Sequence, residues 1–254
     1  MGHELQLIAR GRDTDVFDRG DGTVLRRYRI AEGADVEQDA WFDTASEARL
    51  MLHLEEVGYP VPHVVDADGP DLVMERIAGG TVLDELMHEP RQYRRYGRLL
   101  GELHERLHRI QAPSWLRRAH GVPSSTAQDA GGDVVVTHGD LHPSNIILSE
   151  RGPVVIDWTS AAAGWAEVDA ATTVILTLGA DLEVEPAVAE RVGPIRGLLV
   201  DAFLETCGVD PRDGMPEAIA YRSGIPNNTP TENSWLANEA ARCLDPFYLE
   251  RRAL

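Results

Sequence analysis

The sequence predicts an α+β protein of two lobes: a small antiparallel sheet with one helix over residues 1–77, and a mainly helical lobe over 78–254. Three observations lead there. Short alternating runs separated by Gly-rich turns fill the first 30 residues, the pattern of hairpin-linked strands. From residue 82 onward most apolar side chains recur at helical spacing, as at Tyr96, Leu100, Leu103 and Leu107. Within that helical region, 133–158 carries three β-branched runs around a polar loop. The chain has 254 residues, enough for a large core or two lobes, and its 43% hydrophobic content with no long low-complexity tract indicates a folded globular protein.

In chain order, 5–9 alternates as a strand, Gly11 opens a turn, and 15–18 forms a second strand. The tight Arg19-Gly20-Asp21-Gly22 turn leads into a third strand over 23–29, so the chain begins with a meander. After a polar segment over 31–43, Glu47, Leu50, Met51, Leu54 and Val57 recur at helical spacing until Gly58, Pro60 and Pro62 end the helix. Glu47 shares the apolar face, and an inward carboxylate needs a cation; the alternative is an exposed first-turn acid favoured by the helix dipole. A hairpin of 63–65 and 72–77 around Asp68-Gly69-Pro70 brings the sheet to about five strands, and Ala78-Gly79-Gly80 reads as an inter-lobe hinge.

The second lobe opens with a short helix near 82–87 and a long one striped by Tyr93, Tyr96, Leu100, Leu103, Leu107 and Ile110. Residues 112–132, rich in Pro, Ser, Ala and Gly, read as a loop. Helices are predicted over 170–178, 185–206, 215–221 and 233–244, with 223–230 as a break.

The chemistry concentrates in 133–158. Runs at 134–136, 146–148 and 154–156 are each long enough for a buried strand. Between the first two lie His138, Asp140, His142 and Asn145, with Gly139 and Pro143 breaking regular structure. A hairpin turn at 149–152 returns the chain so that Asp157 is expected to approach the loop. Asp140 and Asn145 are five residues apart, and Asp157 follows twelve later. That pattern matches a base and two magnesium-holding residues for phosphoryl transfer. The bland reading is an Asx-rich turn between core strands.

The segment H-G-D-L-H-P-S-N (138–145), followed by V-V-I-D-W (154–158), resembles the signature of the aminoglycoside phosphotransferase family, small-molecule relatives of the protein kinases, and the likeness spans most of 5–178. The resemblance implies a two-lobe protein-kinase-like fold, with a nucleotide-binding lobe over 1–77 and a catalytic and substrate lobe over 78–254. It implies transfer of phosphate from ATP or GTP, with Mg2+, to a hydroxyl of a small-molecule alcohol. On this resemblance Asp140 orients or deprotonates the hydroxyl, and Asn145 and Asp157 hold the metal. The turn from Gly11 to Thr14 covers the phosphates, Arg26 stands where the family's V-L-K has lysine and pairs with Glu47, and the backbone of Glu75 to Ile77 meets adenine. Asp169 is expected to cap the following helix and brace the loop. Arginine is not interchangeable with an ammonium, so a nucleotide-binding pseudoenzyme is the alternative.

A competing motif lies in the long helix. His104-Glu105-Arg106-Leu107-His108 is H-E-x-x-H, the zinc-peptidase pattern, whose histidines can share a metal while the glutamate activates water. Gln111 and Ser114 break the extended form of that motif, and Leu103 and Leu107 already commit the helix to a core.

Composition narrows the partners. A net charge of −18 disfavours nucleic acid and anionic membranes. A charged N-terminus with no long apolar run predicts a cytoplasmic protein, and Cys207 and Cys243 are expected to be unpaired thiols. All 24 basic residues are arginine. From Ser160 onward there are fifteen acidic residues against seven arginines, which suggests a cationic acceptor such as an amino alcohol, with solubility as the plain alternative.

Overall fold

A computed structural model describes residues 5–11, 13–30, 43–122, 134–181 and 186–245, side chains excepted over 186–192. The polar segment at 31–42, Arg12 of the first turn, residues 123–132 of the 112–132 loop and residue 185 of the predicted helix lie outside the described residues. In chain order the elements begin β1 (Gln6–Arg10), β2 (Thr14–Asp18), β3 (Thr23–Tyr28), α1 (Thr44–Glu56), β4 (Val64–Asp68), β5 (Asp71–Glu75) and β6 (Gly80–Thr81). There follow α2 (Val82–His88), α3 (Tyr93–His108), β7 (Val135–Thr137), β8 (Ile146–Ser149), β9 (Gly152–Val155) and β10 (Ala162–Gly164). The chain closes with α4 (Ala166–Gly179), α5 (Pro186–Leu204), α6 (Met215–Ser223) and α7 (Pro230–Asn238).

Internal packing divides the chain into two compact units, Met1–Gly80 with Ile147–Thr159, and Thr81–Ile146 with Ser160–Leu254. The first holds an antiparallel sheet in the order β1-β2-β3-β5-β4, the meander plus hairpin that the turn residues predict. Asp43 caps α1, its side chain accepting the Ser46 N–H at 2.9 Å, and Leu50, Met51 and Leu54 bury the face that lies against β4 and β5. Val57, expected on that stripe, is 52% exposed, because the helix has ended and Val57 is its C-cap.

The stretch 147–159 packs with the first unit, where a division at residue 77 leaves it in the second lobe. Local bonds explain this. The Val155 N–H donates to Pro60 O at 2.8 Å, and Trp158 meets Tyr59 edge to face at 5.6 Å.

In the second unit α2 starts from a capping box between Thr81 and Asp84. Helix α3 lies along α5 at close range: a Cβ on Gly97 would stand 2.5 Å from Leu199 O. Nine of the fourteen residues of α4 are buried, so it forms the centre of this unit. Strands β7 and β10 pair antiparallel, with Thr137 opposite Ala162 and Val135 opposite Gly164. Strand β10 was not expected, since Ala-Ala-Gly has little strand character and only its partner selects the conformation. Helix α7 begins at Pro230, inside the predicted break, because Thr229 and Glu232 build a capping box with proline in the first turn. It ends at Asn238, and 240–242 is a separate 3-10 turn, not a continuation to 244. No helix among the described residues is long and apolar enough to cross a membrane.

Candidate active site

In the first unit, strand alternation turns Arg26 to the buried face and Arg27 to solvent. Arg26 is 5% exposed, while Arg27, with 47% of its side chain exposed, pairs with Asp71. The Arg26 guanidinium joins three partners. It donates to Glu47 Oε2, to Tyr28 OH at 2.9 Å, and to Asp157 Oδ1 at 3.1 Å. Tyr28 OH also lies 2.9 Å from Glu47 and 2.5 Å from Thr159 Oγ1, whose hydroxyl donates to Asp157 Oδ1 at 2.9 Å. Glu47 is therefore buried and paired, not an exposed first-turn acid. Burial opposes the charge on Arg26, but Glu47, Tyr28 and Asp157 outweigh it and raise its pKa. Burial, then the charge of Glu47, also raises Tyr28.

Asp157 has φ 64°, the one non-glycine residue with positive φ among the described residues. Aspartate tolerates this left-handed conformation better than most residues, and such outliers gather at functional sites. Its side chain is 48% exposed, with one oxygen held by Arg26 and Thr159 and Oδ2 without a partner among the described residues.

The other nucleotide-side candidates are placed as follows. The Gly11 N–H is spent on Thr14 O at 2.8 Å, closing the turn before β2, and Arg29 donates to Gly11 O at 2.8 Å. Glu75 ends β5 opposite Thr23, and its carboxylate accepts from Arg151 at 2.8 Å. Ile77, two residues beyond the strand, makes no backbone hydrogen bond among the described residues, so its N–H and C=O are available to a ligand.

In the second unit the loop after β7 hangs on Asp169. Its carboxylate accepts the His138 N–H at 3.1 Å, the Gly139 N–H at 2.7 Å and His108 Nε2 at 3.0 Å. Burial pushes its pKa up, but these donors and the neighbouring His104 bring it well below the carboxylate range. Gly139 has φ 75°, and a Cβ there would stand 2.8 Å from Ser160 O, so the bend demands glycine. The Asp140 N–H meets His138 Nδ1 at 3.3 Å.

This bend presents Asp140 with 29% of its side chain exposed, between His142 Nε2 at 3.7 Å and Arg222 Nη1 at 3.3 Å. Burial raises its pKa, but the hydrogen bond and charge of His142, with Arg222 and His138, hold it below the usual range. Asn145 Nδ2 donates to Asp140 O at 2.9 Å, which leaves Oδ1 without a partner among the described residues. The arrangement is thus an ionised carboxylate beside a free amide oxygen, on a loop fixed from behind.

One expectation needs correction, and the competing H-E-x-x-H motif has another explanation. Asp169 does brace the loop, but it does not cap α4: it is the fourth residue of the helix, and the N-cap, Trp165, makes no side-chain bond. The H-E-x-x-H histidines do not assemble a metal centre. His104 is fully buried, its pKa lowered to about 4 by burial, with its ring nitrogens 2.9 Å from Leu100 O and Thr173 Oγ1. His108 is on Asp169, and Glu105 is on Arg109. No group of three or more His, Cys, Asp or Glu side chains arranged for a metal occurs among the described residues. Sequence reasoning also missed Tyr28, Thr159 and Arg222. Arg222 is 82 positions from Asp140, and no local pattern marks it.

A model of the phosphotransferase enzyme family matches residues 4–121 and 117–200. Among solved structures, aminoglycoside phosphotransferase APH(4)-Ia, in ternary complex with AMP-PNP and hygromycin B, is 16% identical with a TM-score of 0.58, over 98% of this chain and 93% of that one. ADP-bound APH(2'')-Ib is 15% identical with a TM-score of 0.57, over 94% and 93%. At these identities the likeness is one of fold, the two-lobe kinase-like α+β architecture. Among curated proteins, a "Probable serine/threonine-protein kinase BUD32 homolog" of Archaeoglobus fulgidus is 27% identical over 53% of each chain. A "Probable bifunctional tRNA threonylcarbamoyladenosine biosynthesis protein" of Methanoculleus marisnigri is 26% identical over 78% of this chain and 31% of its own. The chain spans about half or less of the length of these curated relatives.

Proposed function

The chain belongs to the phosphotransferase enzyme family, and on that premise we propose that it transfers the γ-phosphate of ATP or GTP, with Mg2+, to a hydroxyl of a small-molecule alcohol. In this reading the acceptor oxygen bonds to phosphorus, the bond to the β-phosphate oxygen breaks, and the hydroxyl proton passes to Asp140. The nucleoside diphosphate leaves. Arg26, held by Glu47, would position the phosphates under the turn from Gly11 to Thr14, while the backbone of Glu75 to Ile77 would hydrogen-bond adenine. Residues 1–77 would serve as the nucleotide lobe and 78–254 as the catalytic and acceptor lobe.

Asn145 Oδ1 and Asp157 Oδ2, each without a partner among the described residues, are hard oxygen donors of the kind magnesium takes alongside phosphate and water. When bound, the ion would neutralise phosphate charge.

The observation that supports this reading most is the Asp140 loop, whose base is kept ionised and partly exposed while the backbone behind it hangs on buried Asp169. The test is nucleoside-diphosphate release with ATP, Mg2+ and a panel of alcohols. Release that depends on both metal and alcohol supports it. Tight nucleotide binding without transfer to any alcohol replaces it with the pseudoenzyme reading, which the engagement of Arg26 by both Glu47 and Asp157 favours.

A further inference from the structure

An open pocket, with about 580 Å³ of space when the part open to solvent is counted, lies wholly within the second unit, and its walls reverse the charge of the chain. The protein as a whole is −18, yet Arg117, Arg118 and His120 line this pocket from one four-residue stretch. Among the described residues its one lining carboxylate is Asp169, whose two oxygens already accept His108 and the N–H groups of His138 and Gly139. Arg117 Nε donates to Ala161 O at 2.9 Å. The Arg118 and His120 side chains make no hydrogen bond or ion pair among the described residues, and both are exposed. Glu217 of α6 lies near Gly121, where a Cβ would stand 3.9 Å from its Cγ, and does not line the pocket.

Two further walls give the pocket its second character and its address. Trp165 and Tyr221 supply aromatic surface. Gly139 and Tyr221 each precede a residue of the Asp140 pair, since Gly139 leads to Asp140 and Tyr221 to Arg222, which meets Asp140 at 3.3 Å. The pocket wall therefore reaches the residue before the base and the residue before the base's partner, although Asp140 and Arg222 do not themselves line it. Cationic donors in a concave wall attract anions, and a guanidinium grips an oxyanion through paired N–H groups.

We propose that this pocket is the acceptor site, and that it takes a hydroxylated organic anion, a carboxylate or phosphate ester with a flat apolar body, held by Arg118 and His120 against Trp165 and Tyr221. The acceptor role rests on the phosphotransferase reading, and the preference for an anion does not. It reverses the cationic acceptor that overall acidity suggests, because the charge that a ligand meets is local. The transfer balances as above: the nucleotide loses its γ-phosphoryl group, the acceptor hydroxyl gains it and gives up one proton to Asp140.

The test uses the full chain and four probes sharing one benzyl alcohol: 4-(hydroxymethyl)benzoate, 4-(hydroxymethyl)phenyl phosphate, 4-(hydroxymethyl)benzamide and 4-(aminomethyl)benzyl alcohol. Calorimetric titration should show at least one anion binding about tenfold or more tighter than the amide, with the amine weakest. In Arg118→Ala/His120→Ala the anion should fall to the affinity of the amide, while Arg118→Lys should recover part of the preference, and each variant's melting temperature reports whether it is folded. With ATP and Mg2+, the preferred anion should also be the best acceptor. Equal binding of all four, tighter binding of the amine, or faster turnover of the amine overturns the proposal and leaves the phosphotransferase reading standing. Absence of nucleotide binding and turnover overturns that reading instead, and the titrations still decide the charge preference.

Discussion

Arg26 Nη1 donates to Asp157 Oδ1 at 3.1 Å, joining two residues 131 positions apart in one buried network with Glu47 and Tyr28. A cation buried to this degree is tolerable only because its partners are in place, and removing one member of such a pair leaves the other charge stranded. Arg26→Ala should therefore cost about 3–5 kcal/mol, with a large loss of nucleotide affinity. Arg27→Ala, which loses only an exposed pair with Asp71, should cost about 1 kcal/mol or less. Denaturant melts and nucleotide titrations of the two variants compare these directly, and equal effects would remove Arg26 from the phosphate-positioning role.

Arg222 tests how Asp140 is kept ionised. Its guanidinium favours the carboxylate form, so Arg222→Ala should raise the pKa of Asp140. The base would then be available only at higher pH, and the acid limb of the kcat/KM profile should move upward. A profile that keeps its position while kcat falls would assign Arg222 to packing alone.

The fold was legible in the sequence wherever a local rule decides it. The Arg19–Gly22 turn set the β2–β3 register, the stripe at Leu50, Met51 and Leu54 set α1, and the loop between His138 and Asn145 was placed by its own Gly and Pro. Strand β10 escaped because Ala162–Gly164 takes its conformation from β7. Glu47 left two readings open, and burial against Arg26 decided between them, since a helical period says which face a residue is on but not what stands opposite. Arg222 carried no signal because its partner is distant in sequence. The zinc motif misleads for a related reason: the spacing of His104 and His108 serves Thr173 and Asp169, which only the fold brings near.

His104 makes a pH-dependent contribution to stability. Its folded pKa is about 4, below the ordinary histidine value near 6.5. Between those values the unfolded chain binds a proton that the folded one does not, so stability is full above about pH 6.5 and falls as pH drops toward 4. The loss amounts to about 3 kcal/mol. His104→Gln should flatten the melting-temperature profile over this window, whereas an unchanged slope would place the acid sensitivity elsewhere.

Asp169 acts in the same direction at lower pH. Its folded pKa is depressed, so its contribution is present above the unfolded carboxylate value near 4 and is lost as pH falls through the folded one. Asp169→Ala strands the His138 and Gly139 N–H groups, and should cost about 3–5 kcal/mol and lower turnover by disordering Asp140. A stable, fully active variant would show that the loop has another anchor.

In the proposed reaction Asp140 takes the acceptor proton while other residues bind the nucleotide. The most direct measurement is single-turnover formation of phosphorylated alcohol from ATP and Mg2+ by the wild-type protein and by Asp140→Asn, with nucleotide affinity measured on both. In Asp140→Asn the nucleotide affinity should be unchanged and the rate lowered by at least about a hundredfold. Equal rates in the two proteins would contradict that role for Asp140.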